Sequence, residues 1–431
     1  MRRTLTRMVK PTMCFVSTLA VVVMLAGLAA GSTVRIAERW GDSPTNGCVL
    51  GLLPAIKGFE EKYPDIHVEI VYGVTEDKAK LSIAAGEQPD IYVVWPAVSW
   101  GADGLLQPLD KYIEQSGVKR DTFVPAAWDQ NLWDGKIWAL PMKIDPNFAL
   151  AWNRAKFAEV GLPPTKGPTT VKEFDLYFNR LTMYNSDGSP RQIGIVPWTV
   201  YGNANTIFTW GWIFGGDFYD IATGRVTAHH ERNVKALEYL KDYWTRYNDM
   251  YMSLGQGLPS GQNRFLAGRQ AMSFYVTGDY FLHKQRFRDF EFGFGPMPID
   301  PESGVTNPAW IGGWSVGILT GAKNPDDAWK FIHYITADPE GASLFSQGSG
   351  WITANIKAPA FRNLGRDADW KVWTDIAITT ERYRPAIPAL SFYNTQLEKL
   401  LGPALNGSVT PRAGLEEVSR LVELEMQKYR K

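Results

Sequence analysis

Aromatic side chains that stand beside acids, amides or glycines are the residues of this sequence best suited to chemistry. They are Trp40 with Asp42, Trp95, Trp198 with Tyr201 and Asn203, Asp279 with Tyr280, Gly313 with Trp314, and Trp351. An indole or phenol ring covers the apolar C–H face of a pyranose, while carboxylates and amides accept its hydroxyl protons. The chain has 17 Trp and 18 Tyr, so the composition indicates a binding surface. An aromatic core is the alternative for each ring.

A further acid, Asp145, lies in a stretch that has the pattern of a passage between two structural units. Extended runs are predicted at 137–140 and 148–152, with Pro141 and Pro146 between them. Because proline has no N–H to donate, neither proline suits a central strand. The stretch therefore predicts a hinge with Asp145 exposed in a cleft, and the alternative is one strand with an irregular middle.

Other kinds of site have little support in the sequence. The chain has five His, and the neighbouring pair His229 and His230 points apart on most backbones, so no metal is predicted. There is no glycine-rich phosphate loop and no nucleophile elbow. The double glycine before Trp314 would let a backbone approach a ligand closely, although a tight turn explains it equally well. We expect no catalytic residue, metal or cofactor.

The elements that must position these residues alternate along the first hundred residues. Hydrophobic periodicity predicts a strand at 34–40, a helix at 47–62, a strand at 66–70, a helix at 78–85 and a strand at 91–95. This order is typical of a doubly wound α/β unit, in which ligands lie beyond the carboxyl ends of the strands. The loops at those ends begin with Trp40 and Trp95.

The N-terminal segment predicts export. Residues 1–31 combine four basic residues and no acid with an apolar run and a small-residue end, which is the pattern of a signal peptide. An uncleaved membrane anchor is the alternative. Without this segment the chain has 41 basic and 45 acidic side chains, a balance that does not favour nucleic acid. With 431 residues, two lobes are expected. We therefore expect a protein of the periplasm or of the outer face of the cytoplasmic membrane.

Several blocks of the sequence resemble the extracellular sugar-binding proteins of bacterial ABC importers, the maltose-binding-protein-like solute-binding family. The blocks follow the order and spacing of that family over nearly the whole chain after the leader. They are FEEKYPDIHVEI (59–70), GEQPDIYVVW (86–95), GLLQPLDKYI (104–113), WDGKIWALP (133–141), and the segments 150–174, 265–280 and 310–341.

The resemblance implies an α/β, periplasmic-binding-protein-like fold, with two α/β lobes joined by hinge crossovers around a ligand cleft. The implied N-terminal lobe comprises residues 33–143 and 296–347, and the C-terminal lobe comprises residues 144–295 and 348–431. The implied function is that of a monomeric receptor that binds a carbohydrate and delivers it to the transmembrane permease subunits of an ABC importer.

The resemblance also bears on single site residues. It implies ring stacking or hydrogen bonding by Trp95, Tyr280 and Trp314, and it adds Tyr393 in a late helix. The first loop has an acid, Asp42, near Trp40, but it lacks the lysine that the maltose binder carries beside its acid. The identity of the sugar therefore stays open.

Two other classes of function remain open at this stage. A secreted carbohydrate-active enzyme would need two paired carboxyl groups, for which Asp145 and Asp279 are the candidates. A receptor of the same fold could instead bind a glycerol phosphate ester, with Arg384 as the available cation, or iron through clustered tyrosines.

Overall fold

The structure of the protein is a computed structural model that describes residues 31–43, 45–287 and 291–430. The helices are α1 (Gly47–Lys62), α2 (Glu76–Ala85), α3 (Ala97–Ala102), α4 (Asp110–Ser116), α5 (Pro125–Asp129), α6 (Arg154–Glu159), α7 (Val171–Leu181), α8 (Asn203–Ile213), α9 (Glu231–Leu254), α10 (Thr277–Arg286), α11 (Pro325–Thr336), α12 (Pro339–Ser349), α13 (Pro359–Leu364), α14 (Ala368–Thr379), α15 (Leu390–Leu405) and α16 (Pro411–Met426). The strands are β1 (Ser32–Ala37), β2 (Ile66–Val71), β3 (Ile91–Val94), β4 (Leu132–Trp133), β5 (Lys136–Ile137), β6 (Leu140–Asn147), β7 (Ala149–Asn153), β8 (Met183–Tyr184), β9 (Pro190–Gln192), β10 (Tyr219–Asp220), β11 (Arg225–Val226), β12 (Met272–Tyr275), β13 (Phe292–Pro296), β14 (Trp310–Ile318), β15 (Ile352–Thr353) and β16 (Arg382–Tyr383).

A seven-stranded mixed sheet organises the first structural unit. Its strands lie in the order β15–β6–β14–β3–β1–β2, and β16 pairs with β14. The neighbours β2, β1 and β3 are parallel, whereas β14 runs antiparallel to both β3 and β6. The carboxyl ends of β1 and β3 therefore meet at one edge of the sheet, as the alternating strand and helix pattern predicts.

Local sequence signals fix the ends of the helices around this sheet. The side chain of Asn46 accepts the backbone N–H of Cys48 and so caps α1. Gly86 ends α2 in the left-handed conformation, with a φ of 70°. Asp338 caps α12, and Gly350 closes it at a φ of 70°. The helix predicted at 47–62 has the bounds of α1.

The prediction that Pro141 and Pro146 interrupt the chain between two short strands is wrong. Strand β6 runs continuously through both prolines and pairs with β14 along its length, with one register shift opposite Trp314 and Ser315. On its other side β6 pairs with β15 only at Lys143 and Ile144. Both prolines therefore lie where β6 is an edge strand, the position in a sheet that tolerates a missing N–H.

A second sheet begins one residue after β6 ends. Its three antiparallel strands lie in the order β12–β7–β13. Because side chains alternate along β7, Leu150 and Trp152 enter the larger core, which includes residues of α7, α8, α9 and α15. Ala149 and Ala151 face the other core, which also contains Trp373 of α14. The chain thus passes from one sheet to the other at Phe148.

The predicted division into lobes remains a prediction, but the strand pairing favours different boundaries. Strands β15 and β16 pair within the seven-stranded sheet, although the resemblance assigned everything after residue 347 to the other lobe. We propose that the first lobe comprises residues 31–147 and 310–384, with the chain crossing a third time after β16.

The N-terminal segment lies almost wholly outside the part of the chain that the structure describes, so the predicted signal peptide at 1–31 stays a prediction. Within residues 31–43, 45–287 and 291–430, no helix has the length and apolar character needed to span a membrane. The same ranges contain no cluster of His, Cys, Asp and Glu suited to a metal ion.

Candidate functional site

Four tryptophans from separate segments meet at the carboxyl edge of the seven-stranded sheet. The ring centroid of Trp40 lies 4.8 Å from that of Trp314 and 5.6 Å from that of Trp351, edge to face in both cases. Trp95 lies 6.5 Å from Trp314. We call Trp40, Trp95, Trp314 and Trp351 the tryptophan cluster. Trp40 is 40% exposed and the other three are half-buried, so the cluster presents aromatic surface to solvent.

The sheet topology brings the cluster together. Trp40 and Trp95 follow the parallel strands β1 and β3, whose carboxyl ends lie side by side. Antiparallel β14 passes Trp314 over the same edge, because its neighbour Ser315 is paired with Val94 at the end of β3. Trp351 immediately precedes β15. The sequence predicted each of these residues, and the structure places all four in contact through Trp40 and Trp314.

A buried carboxylate that the sequence reasoning missed holds the Trp40 loop. Glu38 has no exposed surface and accepts the backbone N–H groups of Trp40, Gly41 and Gly73 at 2.7, 3.0 and 3.0 Å. It also accepts the side-chain amide of Asn46 at 3.0 Å. Glu38 therefore fixes the loop between β1 and α1. The signal in the sequence was an acid directly after the first strand, two residues before Trp40.

A second polar group lies beneath the cluster. The ammonium group of Lys143 donates to both carboxylate oxygens of Asp145 at 2.7 Å and lies 4.5 Å from the ring centroid of Trp351. The predicted hinge acid Asp145 is thus half-buried and paired, and Lys143, which is 6% exposed, is an unpredicted neighbour of the site. The pair is a donor and an acceptor held next to an aromatic face.

Gly313 makes possible the close approach of β14 to β6. Its φ is 141°, and a Cβ at this position would lie 2.2 Å from the carbonyl oxygen of Lys143. The sequence left open a close approach to a ligand or a tight turn; the structure places Gly313 within a strand, where it allows a close approach to the neighbouring strand. This contact sets the position of Trp314, which is paired with Lys143 across the sheet.

In the second unit the structure brings the predicted residues Tyr201 and Asp279 together. The hydroxyl of Tyr201 donates to the Asp279 carboxylate, and its ring stacks on Phe148 with centroids 5.3 Å apart. Surrounding protein atoms, and then the negative charge of Asp279, raise the pKa of Tyr201 well above its usual value, so the hydroxyl stays a donor. Helix α10 also reaches the first unit, since a Cβ on Gly350 would lie 3.3 Å from the Phe281 ring.

Four predicted site residues are buried or bonded to other groups, and a fifth is exposed. Trp198, Tyr280 and Tyr393 are 5%, 2% and 0% exposed and belong to the hydrophobic cores, so their binding role stays a prediction and the core alternative describes their present position. Such residues pack well in aromatic-rich cores when their polar atoms find partners. The hydroxyl of Tyr393, for example, donates to the backbone carbonyl of Phe218. Asn203 begins α8 and bonds Glu398, and Asp42 is exposed.

The fold, with two sheets joined by crossing strands and an aromatic site at the sheet edge, defines a two-lobed solute-binding protein. The chain belongs to the family described as bacterial extracellular solute-binding protein, whose profile matches residues 51–342. The solved structure titled "CpMnBP1 with Mannotriose Bound" superposes with a TM-score of 0.74 at 22% identity, covering 91% of this chain and 100% of that one. The predicted fold class is thus confirmed.

Two curated relatives of this chain are named for oligosaccharides, and another is named as a probable amino-acid ABC transporter periplasmic-binding protein. A maltotriose-binding protein of Pyrococcus abyssi is 26% identical over 310 residues, which cover 70% of this chain and 61% of that protein's length. An arabinooligosaccharide-binding protein of Bacillus subtilis is 25% identical over 359 residues, covering 78% of each chain.

Proposed function

We propose that this protein is an extracytoplasmic receptor that binds a carbohydrate between two lobes and delivers it to the permease subunits of an ABC importer. The observation that carries the proposal is the tryptophan cluster, whose rings converge at the sheet edge beside the Lys143–Asp145 pair. Aromatic faces next to a fixed donor and acceptor suit a sugar ring, which has apolar faces and a rim of hydroxyls. The names of the maltotriose-binding and arabinooligosaccharide-binding relatives support the same class of ligand.

Closure of the two lobes around the sugar would distinguish the loaded receptor from the empty one. A sugar stacked on the tryptophan cluster of the first lobe would also meet residues carried by α8 and α10 of the second lobe. Since a ligand shifts a conformational equilibrium only through contacts that differ between states, bridging contacts favour the closed form. The permease subunits would then bind the closed, loaded form. We expect the working protein to be an exported monomer.

The experiment is a titration of the purified protein with maltotriose, mannotriose and arabinooligosaccharides. We expect at least one of them to change the tryptophan fluorescence, because the cluster contacts the ligand, and to raise the melting temperature by mass action. If none of a broad set of mono-, di- and oligosaccharides has either effect, the proposal fails.

Replacing Trp314 with alanine tests the site itself. Because Trp314 joins the other rings of the cluster, we expect Trp314→Ala to weaken sugar binding about tenfold to a hundredfold, the loss typical of a central aromatic contact. Calorimetric titration gives the affinity. Trp244→Ala is the matched control, since Trp244 is half-buried on α9, in the second unit. Equal affinities of the two variants would contradict the assignment.

The enzyme alternative has no support in the site geometry. Asp145 is engaged by Lys143 through both of its oxygens, and Asp279 accepts the Tyr201 hydroxyl. Each candidate carboxyl thus has a partner of its own, whereas a glycosidase needs two carboxyls facing one scissile bond. Release of reducing ends from the bound oligosaccharide would reopen this alternative.

A further inference from the structure

Arg384 occupies an unusual position at the third crossing of the chain between the units. It directly follows β16, and its guanidinium carbon lies 4.1 Å from the ring centroid of Trp95 and 4.8 Å from that of Trp310. One indole belongs to the tryptophan cluster and the other begins β14. The guanidinium therefore packs against two aromatic faces, next to the tryptophan cluster.

The hydrogen-bonding capacity of this guanidinium is almost unused. The group carries five N–H donors, and its hydrogen bond within the described residues is a 3.4 Å contact with the side-chain oxygen of Asn205. Across the same residues, Arg384 forms no ion pair. The acid whose charge acts on it, Asp145, already receives Lys143 on both oxygens. The positive charge of Arg384 is thus without a direct counter-charge.

Burial of this charge has a measurable consequence. Burial lowers the pKa of Arg384 to about 9, and Asp145 acts in the opposite direction. The side chain is half-buried and still protonated at neutral pH, so a partly desolvated cation stands without an anion. Such a charge is costly unless it is paired, and a ligand anion would relieve that cost.

A cavity of about 440 Å³ lies beside the guanidinium, between the two units. Trp95 lines it from the first unit, and Asn205 of α8 and Asn394 of α15 line it from the second. The side-chain oxygen of Asn394 is buried and has no hydrogen-bond partner among the described residues. The acid at this cavity, Glu398, is already engaged, because it accepts the first backbone N–H groups of α8.

We propose that Arg384 binds an anionic group of the ligand, so that the preferred solute is an acidic carbohydrate that carries a carboxylate or a phosphate. Both anions match the planar fork of a guanidinium, which can donate two parallel N–H bonds. Asn205 and Asn394 would hold neighbouring hydroxyls, and the two indoles fix the fork in place. This inference rests on the proposed function and narrows its class of ligand.

The test compares neutral and acidic ligands of similar size by calorimetric titration. The neutral ligands are maltose, mannobiose and galactobiose, and the acidic ones are digalacturonate and glucose 1-phosphate. We expect one acidic ligand to bind at least about tenfold more tightly than every neutral one, as a charge-assisted hydrogen-bond pair would provide. Which acidic ligand is preferred distinguishes a carboxylate from a phosphate. The advantage should shrink as salt is raised.

Variants at Arg384 separate ligand binding from a structural role. Arg384→Gln should abolish the preference for the acidic ligand, while Arg384→Lys should keep part of it because the charge remains without the fork. Arg362→Gln is the matched control, since Arg362 is exposed on α13. A merely structural arginine would lower the melting temperature of Arg384→Gln without changing the ratio of acidic to neutral affinity.

The outcomes distinguish this inference from the proposed function. If neutral sugars bind as tightly as both acidic ligands, or if Arg384→Gln keeps the preference, the inference fails while the carbohydrate receptor stands. If no carbohydrate of either kind binds, the proposed function fails and the inference with it.

Discussion

Replacing Gly313 with alanine is expected to destabilise the protein by about 3 kcal/mol or more, through the sum of backbone strain and steric overlap. The φ of 141° is one that residues with a Cβ rarely adopt, and the added Cβ would lie 2.2 Å from the Lys143 carbonyl oxygen. Because both atoms belong to paired backbones, β14 must move away from β6. Urea unfolding followed by far-UV circular dichroism gives the free energy of unfolding.

A matched glycine provides the control for this substitution. Gly278 lies in the first turn of α10, and apart from its chain neighbours a Cβ there would meet no atom within 4 Å. Gly278→Ala should therefore be neutral or stabilise the protein slightly, by up to about 1 kcal/mol, since alanine favours a helix. Gly313→Ala should also weaken sugar binding, because Trp314 and Lys143 move with the two strands. Equal stability of the two variants would refute the close approach at Gly313.

Much of the tryptophan cluster could be predicted because its positions depend on local patterns. Strand and helix alternation over the first hundred residues identifies two parallel strand ends, and Trp40 and Trp95 directly follow them. In an α/β sheet those ends are neighbours in space. The helix predicted at 47–62 has the observed bounds because both of its ends are set by the residues next to them. Asn46 caps its first turn, and Tyr63 follows its last residue.

The remaining site residues could not be predicted because their environment is set by distant segments. Tyr280 and Tyr393 look like binding residues in a family comparison, but here they are buried in cores that the rest of the chain supplies. The solvent exposure of an aromatic residue depends on what covers it, and a single sequence does not show this. Lys143 was missed for the same reason, since its partner ring, Trp351, is more than 200 positions away.

The charge of Arg384 illustrates a different limit. Its sequence context, next to Pro385, suited an ordinary ion pair, which is how an arginine withdrawn from water is usually stabilised. Only the packing of Trp95 and Trp310 on its two sides shows that aromatic faces take the place of a carboxylate. Whether the N–H donors of an arginine find acceptors depends on the atoms packed around it. Residue type alone therefore does not reveal unused donors.

Replacing Glu38 with glutamine is expected to have the second large effect. The two carboxylate oxygens each accept two N–H donors, and the change turns one oxygen into an NH₂ group that faces donors. Two donors that are at least partly buried then lose their acceptor, at a cost of about 1–3 kcal/mol each. We expect a lower melting temperature, and faster hydrogen exchange at Trp40, Gly41 and Gly73, because the loop is no longer tied to β1.

The same substitution should reduce affinity for the sugar more than stability alone would require. Trp40 contacts both Trp314 and Trp351, so freeing its loop removes the ring that joins the two. Binding then includes the cost of ordering that loop, and we expect affinity to fall about tenfold. Glu69→Gln is the control, since Glu69 is an exposed residue of neighbouring β2. If Glu38→Gln and Glu69→Gln bind sugar equally well at a temperature where both are folded, Glu38 does not position Trp40.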